Sequence, residues 1–407
     1  MKSVSRIAAL CSCMAAASVA AGATVSGVSF SQDALTGKAT VTYSIDEPAI
    51  ITVDVRTNRG DGVYASIGAD KLRLISGEVN KLVTNVNTSV SAIWSLDSSM
   101  PAQTLDAARV VVTAWATNAP PDYMAINLID TDVVRYYVSA DAFPVPVTSY
   151  MYKTEWLVMR RIPAADVRWH MGYPDQNDHV VTLTEDYYMG IYEFTVGQWL
   201  RCGLVKISTT SYVLANELLP ASSTKYEFLR GTVGEGINWP TTGHNVLANS
   251  PIDVFRTKFG IEVDLPTEAQ WEYACRAGTG TETYNGCANS EELAATNGWY
   301  GLATWADMGT VGSFAPNPWG LYDMYGGMLE WCLDWYDANA DLGQLETTDP
   351  KGATSSPNDR RVQRSSGWND VYTRLYSNFR SNLAPGTAYA TCGFRLVAPC
   401  CAPAKAK

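Results

Sequence analysis

Residues 265–276 read LPTEAQWEYACR and give the clearest local folding signal in the chain. Thr267 is placed to accept a hydrogen bond from a first-turn backbone N–H, and Gln270, three positions on, can return the bond as a capping box. Apolar residues follow at helical spacing, beginning with Trp271. The stretch therefore predicts a helix that begins after Thr267, stops at Gly278 and buries one face.

Two neighbouring segments give similarly definite signals. TVGQ at 195–198 repeats the capping-box pattern and predicts a second helix. Over 328–336, Leu and Trp alternate with Glu, Cys and Asp, which predicts a strand with a core side. Helices followed by strands and Gly-rich loops indicate an α+β domain over residues 155–398.

The N-terminal half, residues 24–145, lacks helical periodicity. Short β-branched runs at 39–43, 49–55 and 109–117 are separated by turn-forming residues. This spacing is typical of an all-β sandwich of the immunoglobulin or fibronectin type. Residues 146–154, which include Pro146, form the predicted linker to the second domain.

The first 23 residues have the pattern of a signal peptide. Lys2 and Arg6 precede an alanine-rich apolar run, and AGA at 21–23 offers a cleavage site. We therefore expect export to the periplasm, cell envelope or exterior. An alternative is a lipoprotein signal ending at Cys13, which the preceding residues fit poorly. Residues 399–407 form a short tail, and no later segment has the roughly 20 apolar residues of a membrane span.

The charge of the chain is acidic. Its 407 residues carry a net charge of −11, with no run rich in Lys or Arg. We therefore expect no nucleic-acid partner, because such partners are held mainly by basic side chains at phosphates. Three histidines and the absence of any C-x-x-C pair disfavour a zinc site.

Several ordered motifs resemble one known family. They are WHMG at 169–172, YMGIYEFT at 188–195, the stretch 265–276, NPWGLYDM at 317–324 and GFR at 393–395. Together they resemble the formylglycine-generating enzyme (sulfatase-modifying factor) family over residues 155–398. The resemblance implies a C-type-lectin-like fold and, for the founding activity, oxidation of a sulfatase cysteine or serine to formylglycine.

The family's oxidase motif does not carry over. Its form is G-G-S-W/Y-x-C-x-x-x-x-C, in which the two thiolates bind copper(I), a metal suited to soft sulfur ligands. Residues 365–375 read SSGWNDVYTRL, so Gly367 replaces the serine, and Asp370 and Leu375 replace the cysteines. We therefore assign no catalytic residues at these positions and do not expect copper.

Some receptor-binding members of the fold display side chains on loops before the final Gly-Phe-Arg. The resemblance thus favours a non-catalytic module that binds a protein or small molecule at a C-terminal groove. An alternative remains open: an oxidoreductase of the family that acts on a protein cysteine or another substrate through a divergent site. The groove candidates are Trp368, Asn369, Asp370, Tyr372, Arg374, Tyr376 and Asn378.

The resemblance also implies candidate positions for calcium and for a disulfide. Asn297, Gly298 and Glu330 resemble family calcium ligands, although a hydrogen-bonded Glu330 without metal is an equal alternative. Cys275 resembles a family cysteine whose usual partner is missing, and Cys392 is the nearest substitute.

Overall fold

The computed structural model separates into two compact units. The first comprises Met1–Ala125, Val133–Ser149 and Cys400–Lys407, and the second comprises Ile126–Asp132 and Tyr150–Pro399. Parts of the predicted signal peptide and most of the predicted tail lie outside the described residues. The structure describes residues 6–7, 10–17, 23–33, 35–58, 62–101, 104–105, 108–131, 133–173, 176–204, 216–231, 245–338 and 346–400.

Up to residue 149, the described part of the chain consists of strands and one short helix, α1 (Leu96–Ser99). Two 3-10 turns, Ala69–Leu72 and Ala140–Ala142, connect them. The strands are β1 (Arg6–Ile7), β2 (Leu10–Ala17), β3 (Val25–Gln32), β4 (Ala39–Ile45), β5 (Ala49–Asn58), β6 (Tyr64–Ser66), β7 (Ile75–Gly77), β8 (Lys81–Val83), β9 (Val90–Trp94), β10 (Thr104–Leu105), β11 (Ala108–Trp115), β12 (Tyr123–Asn127) and β13 (Val134–Tyr137).

Two sheets of the first unit enclose one apolar core. One has the order β2-β11-β5-β6, with β8 also paired to β5, and the other has the order β3-β4-β9-β7. Alternate residues of β4, such as Val41 and Tyr43, are buried, and they share a core cluster with Ile51 and Val110 from the facing sheet. The β-sandwich and its three predicted strands are therefore confirmed. The backbone of β2, inside the predicted signal peptide, pairs in parallel with β11; the signal peptide itself stays a prediction.

The second unit contains most of the helices. They are α2 (Tyr150–Thr154), α3 (Val196–Cys202), α4 (Tyr226–Arg230), α5 (Pro251–Phe259), α6 (Glu268–Arg276) and α7 (Glu291–Asn297). Two 3-10 turns, Trp305–Asp307 and Tyr372–Arg374, follow them in the chain. The strands are β14 (Trp156–Ile162), β15 (Val167–Tyr173), β16 (Gln176–Leu183), β17 (Tyr187–Gly190), β18 (Leu329–Trp335), β19 (Glu346–Thr348), β20 (Arg361–Arg364), β21 (Arg380–Leu383), β22 (Cys392–Gly393) and β23 (Val397–Pro399).

Both predicted capping boxes are present. Thr195 and Thr267 each accept from the N3 backbone N–H, and Gln198 and Gln270 each accept from the backbone N–H of the N-cap. Helix α6 ends at Arg276 rather than at Gly278, because Ala277 already adopts a left-handed conformation with φ 47°. Helix α2 occupies the second half of the predicted linker, and the boundary between the units falls just before it.

Strand β18 is buried on both faces, which corrects the expectation of one core side. It lies between β20 and β22 in the sheet β21-β20-β18-β22. Helix α6 covers the acidic face: the Glu268 backbone N–H donates to Asp334 Oδ2 at 2.7 Å, and Trp271 Nε1 donates to Glu330 Oε2 at 2.7 Å. These bonds allow the carboxylates to be buried, since each replaces water with a protein donor.

The expected Cys275–Cys392 bridge is wrong. Cys275 is a buried thiol on α6 that faces the Met324 carbonyl oxygen at 3.9 Å. Cys392 Sγ instead accepts from Gln363 Nε2 at 3.4 Å. Burial raises the pKa of the Cys275 thiol to about 12, so it is a poor nucleophile.

Within the part of the chain that the structure describes, no helix combines the length and apolar character needed to cross a bilayer.

The buried Asp334 should make stability depend on pH. Burial, and next the charge of Glu268, raise its pKa to about 7, whereas an unfolded aspartate titrates near pH 4. Between these values the folded state holds the extra proton, so stability falls as pH rises. Asp334→Asn should flatten this fall by up to about 1.4 kcal/mol per pH unit, measured by urea unfolding at pH 4.5, 5.5 and 7. The exposed Asp359→Asn is the control, and an unchanged slope in Asp334→Asn would contradict the assignment.

Candidate functional site

The candidate site is the loop that follows β20, residues 365–378. Backbone hydrogen bonds hold it in place: the Trp368 N–H donates to the Gly327 oxygen at 2.7 Å, the Leu302 N–H to the Trp368 oxygen at 3.0 Å, and the Gly301 N–H to the Asp370 oxygen at 2.7 Å. Two other loops of the second unit, one at Gly301 and Leu302 and one at Gly327, therefore hold this loop in position.

The three positions that correspond to the family's oxidase residues all have structural roles. Gly367 is buried, and a Cβ added to it would lie 2.9 Å from Thr391 Cγ2. Asp370 closes the turn, since its Oδ2 accepts from the Gly367 N–H at 2.8 Å and its Oδ1 accepts from Arg374. Leu375 is a core residue with 1% exposure. None of these positions offers a thiolate or a hydroxyl.

The side chains that flank these positions reach the surface. Asn369 is exposed, Tyr372 and Tyr376 are half-buried, and the Arg374 side chain is 51% exposed. Trp368 lies beneath them with 8% exposure, in an apolar cluster with residues such as Met328. Asn369, Tyr372, Arg374 and Tyr376 are therefore accessible, while the role of the groove candidates in binding stays a prediction.

Asn378 does not fit the predicted set of surface residues. It is only 9% exposed, and it lines a small polar pocket of about 170 Å³ together with Arg364 and Arg380. The 3-10 turn Tyr372–Arg374 precedes it in the loop, and beyond the turn Ser377 and Asn378 are both buried.

A second segment contributes to the same surface, and sequence reasoning missed it. The Tyr300 and Tyr372 rings meet edge to face with centroids 6.4 Å apart. Asn289 Nδ2 donates to the backbone carbonyl oxygen of Tyr372 at 2.8 Å. We call one set of exposed and half-buried residues the display surface: Tyr300, Asn369, Asp370, Val371, Tyr372, Arg374 and Tyr376. The aromatic run NGWYG at 297–301 was the available sequence signal, but it was assigned only to calcium.

Glu330, the proposed acidic calcium ligand, already has a cationic partner. Its two carboxylate oxygens accept from Arg395 Nε and Nη2, each at 2.7 Å, and one also accepts from Trp271. Calcium takes six to eight oxygen ligands, and a guanidinium on the same carboxylate opposes it. Glu330 therefore does not fit the calcium role.

The other two calcium candidates lie at the C-terminal end of α7. Asn297 is buried, and its Nδ2 donates to Asn285 Oδ1 at 3.0 Å. Among the described residues, no group of three His, Cys, Asp or Glu side chains is arranged to hold a metal ion. Calcium at Asn297 and Gly298 stays a prediction, and it would have to rest mainly on backbone oxygens.

A buried charge network supports the loop from below. Glu193 Oε1 accepts from the Met328 N–H at 2.9 Å, next to the Gly327 oxygen that binds Trp368. Burial, and after it the charges of Asp323 and Glu330, raise the pKa of Glu193 well above its usual range. Burial also raises the pKa of Asp323 to about 6. Both carboxyls are enclosed and hydrogen-bonded to backbone N–H groups. We assign Glu193 to positioning the loop and Asp323, which accepts from the Gly312 N–H, to holding the segment at Gly312.

A larger cavity of the second unit lies away from the display surface. It has a volume of about 530 Å³, and its lining includes Leu183, Tyr187, Asp264 and Val397 but no display-surface residue. The 170 Å³ pocket behind Tyr376 is below the 300 Å³ or so typical of small-molecule sites. The display surface is thus better suited to a macromolecular partner than to an enclosed ligand.

Restoring the family serine should destabilise this loop. In Gly367→Ser the new Cβ would lie within about 3 Å of both Thr391 Cβ and Cγ2, so we expect a loss of about 1–3 kcal/mol, the usual range for overpacking. Thr391→Ala in the same chain should recover part of that loss, measured as the free energy of unfolding in urea. Additive effects of the two substitutions would show that the contact is not the cause.

Comparisons with known proteins were made for both sequence and structure. Residues 158–399, more than half of the chain, match the model of the sulfatase-modifying factor enzyme 1-like domain. The serine/threonine-protein kinase pkn1 of Chlamydia pneumoniae is 36% identical over 132 residues, which are 32% of this chain and 20% of the kinase. The formylglycine-generating enzyme of Mus musculus is 30% identical over 147 residues, which are 33% of this chain and 38% of the enzyme.

The matched regions span less than half of each of these relatives, so their activities do not transfer with the similarity. Among solved structures, Treponema denticola variable protein 1 is 22% identical, covers 63% of this chain and 100% of its own, and superposes with a TM-score of 0.46. PvdO from Pseudomonas aeruginosa is 20% identical, with coverage of 60% and 94% and a TM-score of 0.44.

The family match includes the capped helix α6, strand β18 and the final Gly-Phe-Arg segment, and it ends at the last strand of the second unit. On this basis the chain belongs to the sulfatase-modifying factor enzyme 1-like family.

Proposed function

We propose that the second unit is a non-catalytic binding module that engages a protein partner through the display surface. The observation that carries the proposal is the contrast within one loop. The positions of the oxidase serine and cysteines are occupied by Gly367, Asp370 and Leu375, which pack or close a turn. Between and beside them, Asn369, Val371 and Arg374 are exposed, and Tyr372 and Tyr376 are half-buried.

The composition of the display surface supports binding. Tyrosines and an arginine are the residue types that most often dominate binding energy at interfaces. Three of them, Tyr300, Tyr372 and Arg374, sit on loops fixed by backbone hydrogen bonds and an ion pair. A prearranged surface loses less conformational entropy when a partner docks.

We also propose that the protein acts outside the cytoplasm. The N-terminal pattern of Lys2, Arg6 and an apolar run supports export. The first unit, a β-sandwich without a candidate site, would then serve as a spacer between the binding module and its surroundings.

The protein should not produce formylglycine. A sulfatase-type peptide containing Cys-x-Pro-x-Arg, incubated with copper-loaded protein and a reductant, should keep its cysteine, because the loop provides no thiolate pair for copper(I). Mass spectrometry of the peptide gives the readout, with heat-denatured protein as the background. An aldehyde or its hydrate above that background would favour the oxidoreductase alternative.

Partner capture should depend on the display surface. A photo-crosslinking residue at Tyr372 should capture a defined protein from the secreted fraction, whereas the same residue at Glu262, which is 73% exposed, should not. The captured protein, once purified, should bind a Tyr372→Ala/Arg374→Ala variant at least about tenfold more weakly, the loss typical of removing one interface hot spot. The melting temperature of the variant should be nearly unchanged.

Two results would overturn the proposal. One is capture of the same proteins from both positions, which would indicate nonspecific contact. The other is a clear fall in the melting temperature of the Tyr372→Ala/Arg374→Ala variant together with the loss of binding. That result would show that Tyr372 and Arg374 are structural residues.

A further inference from the structure

The loops around the display surface contain an unusual charge pattern. From residue 277 to residue 350 the chain contains no Lys or Arg. This segment includes the loop with Tyr300 and the helix α7, which packs against the turn Tyr372–Arg374. Any charge that it adds to the surroundings of the display surface is therefore negative.

Three carboxylates border the display surface. Glu291 and Glu292 are exposed in the first turn of α7. Glu282 is half-buried, and its backbone oxygen accepts from the Ser377 N–H at 2.9 Å. Burial, and after it the charge of Glu282, raises the pKa of Tyr376.

No cation of the described chain neutralises these three groups. Glu282 Oε2 accepts only a neutral donor, the Asn289 N–H at 2.8 Å. The nearby Arg374 is already paired with Asp370. A first-turn position explains why glutamates suit α7, since acidic residues interact favourably with a helix N-terminus. This position still leaves the carboxylates of Glu291 and Glu292 exposed to solvent.

We propose that the partner segment that docks on the display surface is cationic, a polypeptide stretch bearing Lys or Arg beside apolar or aromatic residues. The inference rests on the proposed binding function and specifies the charge of the partner that the display surface prefers. Lys or Arg side chains would pair with Glu282, Glu291 and Glu292, and the half-buried rings of Tyr300 and Tyr372 would offer them cation–π contact. Exposed Val371, at 57%, supplies apolar contact area.

The same charges argue against an anionic occupant. A nucleic acid or an anionic lipid surface would meet three uncompensated carboxylates, and like charges at an interface oppose association. Complementary charges instead speed encounter and select the partner, so their effect should fall as salt screens them.

Fluorescence anisotropy with two labelled nine-residue peptides tests the proposal on the full chain. One peptide repeats Lys-Tyr-Gly and the other repeats Glu-Tyr-Gly. The Lys peptide should bind at least about tenfold more tightly at 50 mM salt and lose most of that difference at 500 mM salt. Glu291→Gln/Glu292→Gln should weaken the Lys peptide about fivefold, in line with two exposed ion pairs.

A matched control distinguishes the effect of carboxylates beside the display surface from the effect of the net charge of the whole protein. Glu185→Gln/Glu262→Gln removes the same number of exposed carboxylates away from the display surface and should change the affinity less than about twofold. Equal losses in the two double variants would overturn the inference. So would equal affinity for the two peptides, or no binding of the Lys peptide.

The outcome can be separated from that of the proposed function. If crosslinking at Tyr372 captures a partner but the peptides do not discriminate, the binding role stands and the charge preference is wrong. If Tyr372→Ala changes neither the affinity for the captured partner nor the affinity for the Lys peptide, the display surface itself is not the binding site.

Discussion

The ion pair between Arg395 and Glu330 is the interaction on which the second unit most depends. Both side chains are fully buried, and the guanidinium binds the carboxylate through two nitrogens while also donating to the carbonyl oxygens of Gly190 and Tyr322. One residue thus ties strand β17, the loop before β18 and the final segment to β18 itself. A buried charge left without its partner is strongly destabilising, so these elements must assemble together.

This arrangement separates the frame of the domain from its loops. The frame includes buried ion pairs, among them Arg364 with Glu268 and Glu272 behind the site. Backbone hydrogen bonds, which do not depend on side-chain identity, join the loop 365–378 to the neighbouring loops at Gly301, Leu302 and Gly327. Its exposed residues can therefore vary without disturbing the core. Such a domain can change its chemistry while it keeps its fold, which agrees with function residing in sites rather than in folds.

Local features of the fold could be predicted from sequence, and long-range ones could not. The two capping boxes need only residues three positions apart, and the strand alternation needs only a two-residue period. The burial of Glu330 depends on Arg395, 65 residues away, and that of Asp334 on an amide 66 residues away. The family resemblance identified Gly367, Asp370 and Leu375 as the positions of the oxidase residues. It did not show that Tyr300 lies on the same surface as the loop that contains them. The Cys275–Cys392 pairing, which the family resemblance suggested, is wrong because the Cys275 thiol faces the Met324 carbonyl oxygen and the Cys392 thiol lies against Gln363.

The close contact between Gly367 and Thr391 bears on how this chain can change over time. Because Thr391 fills the space that a side chain at 367 would need, a serine at 367 would strain this loop unless position 391 changed with it. The two positions therefore constrain each other, and glycine at 367 is favoured for as long as threonine stands at 391.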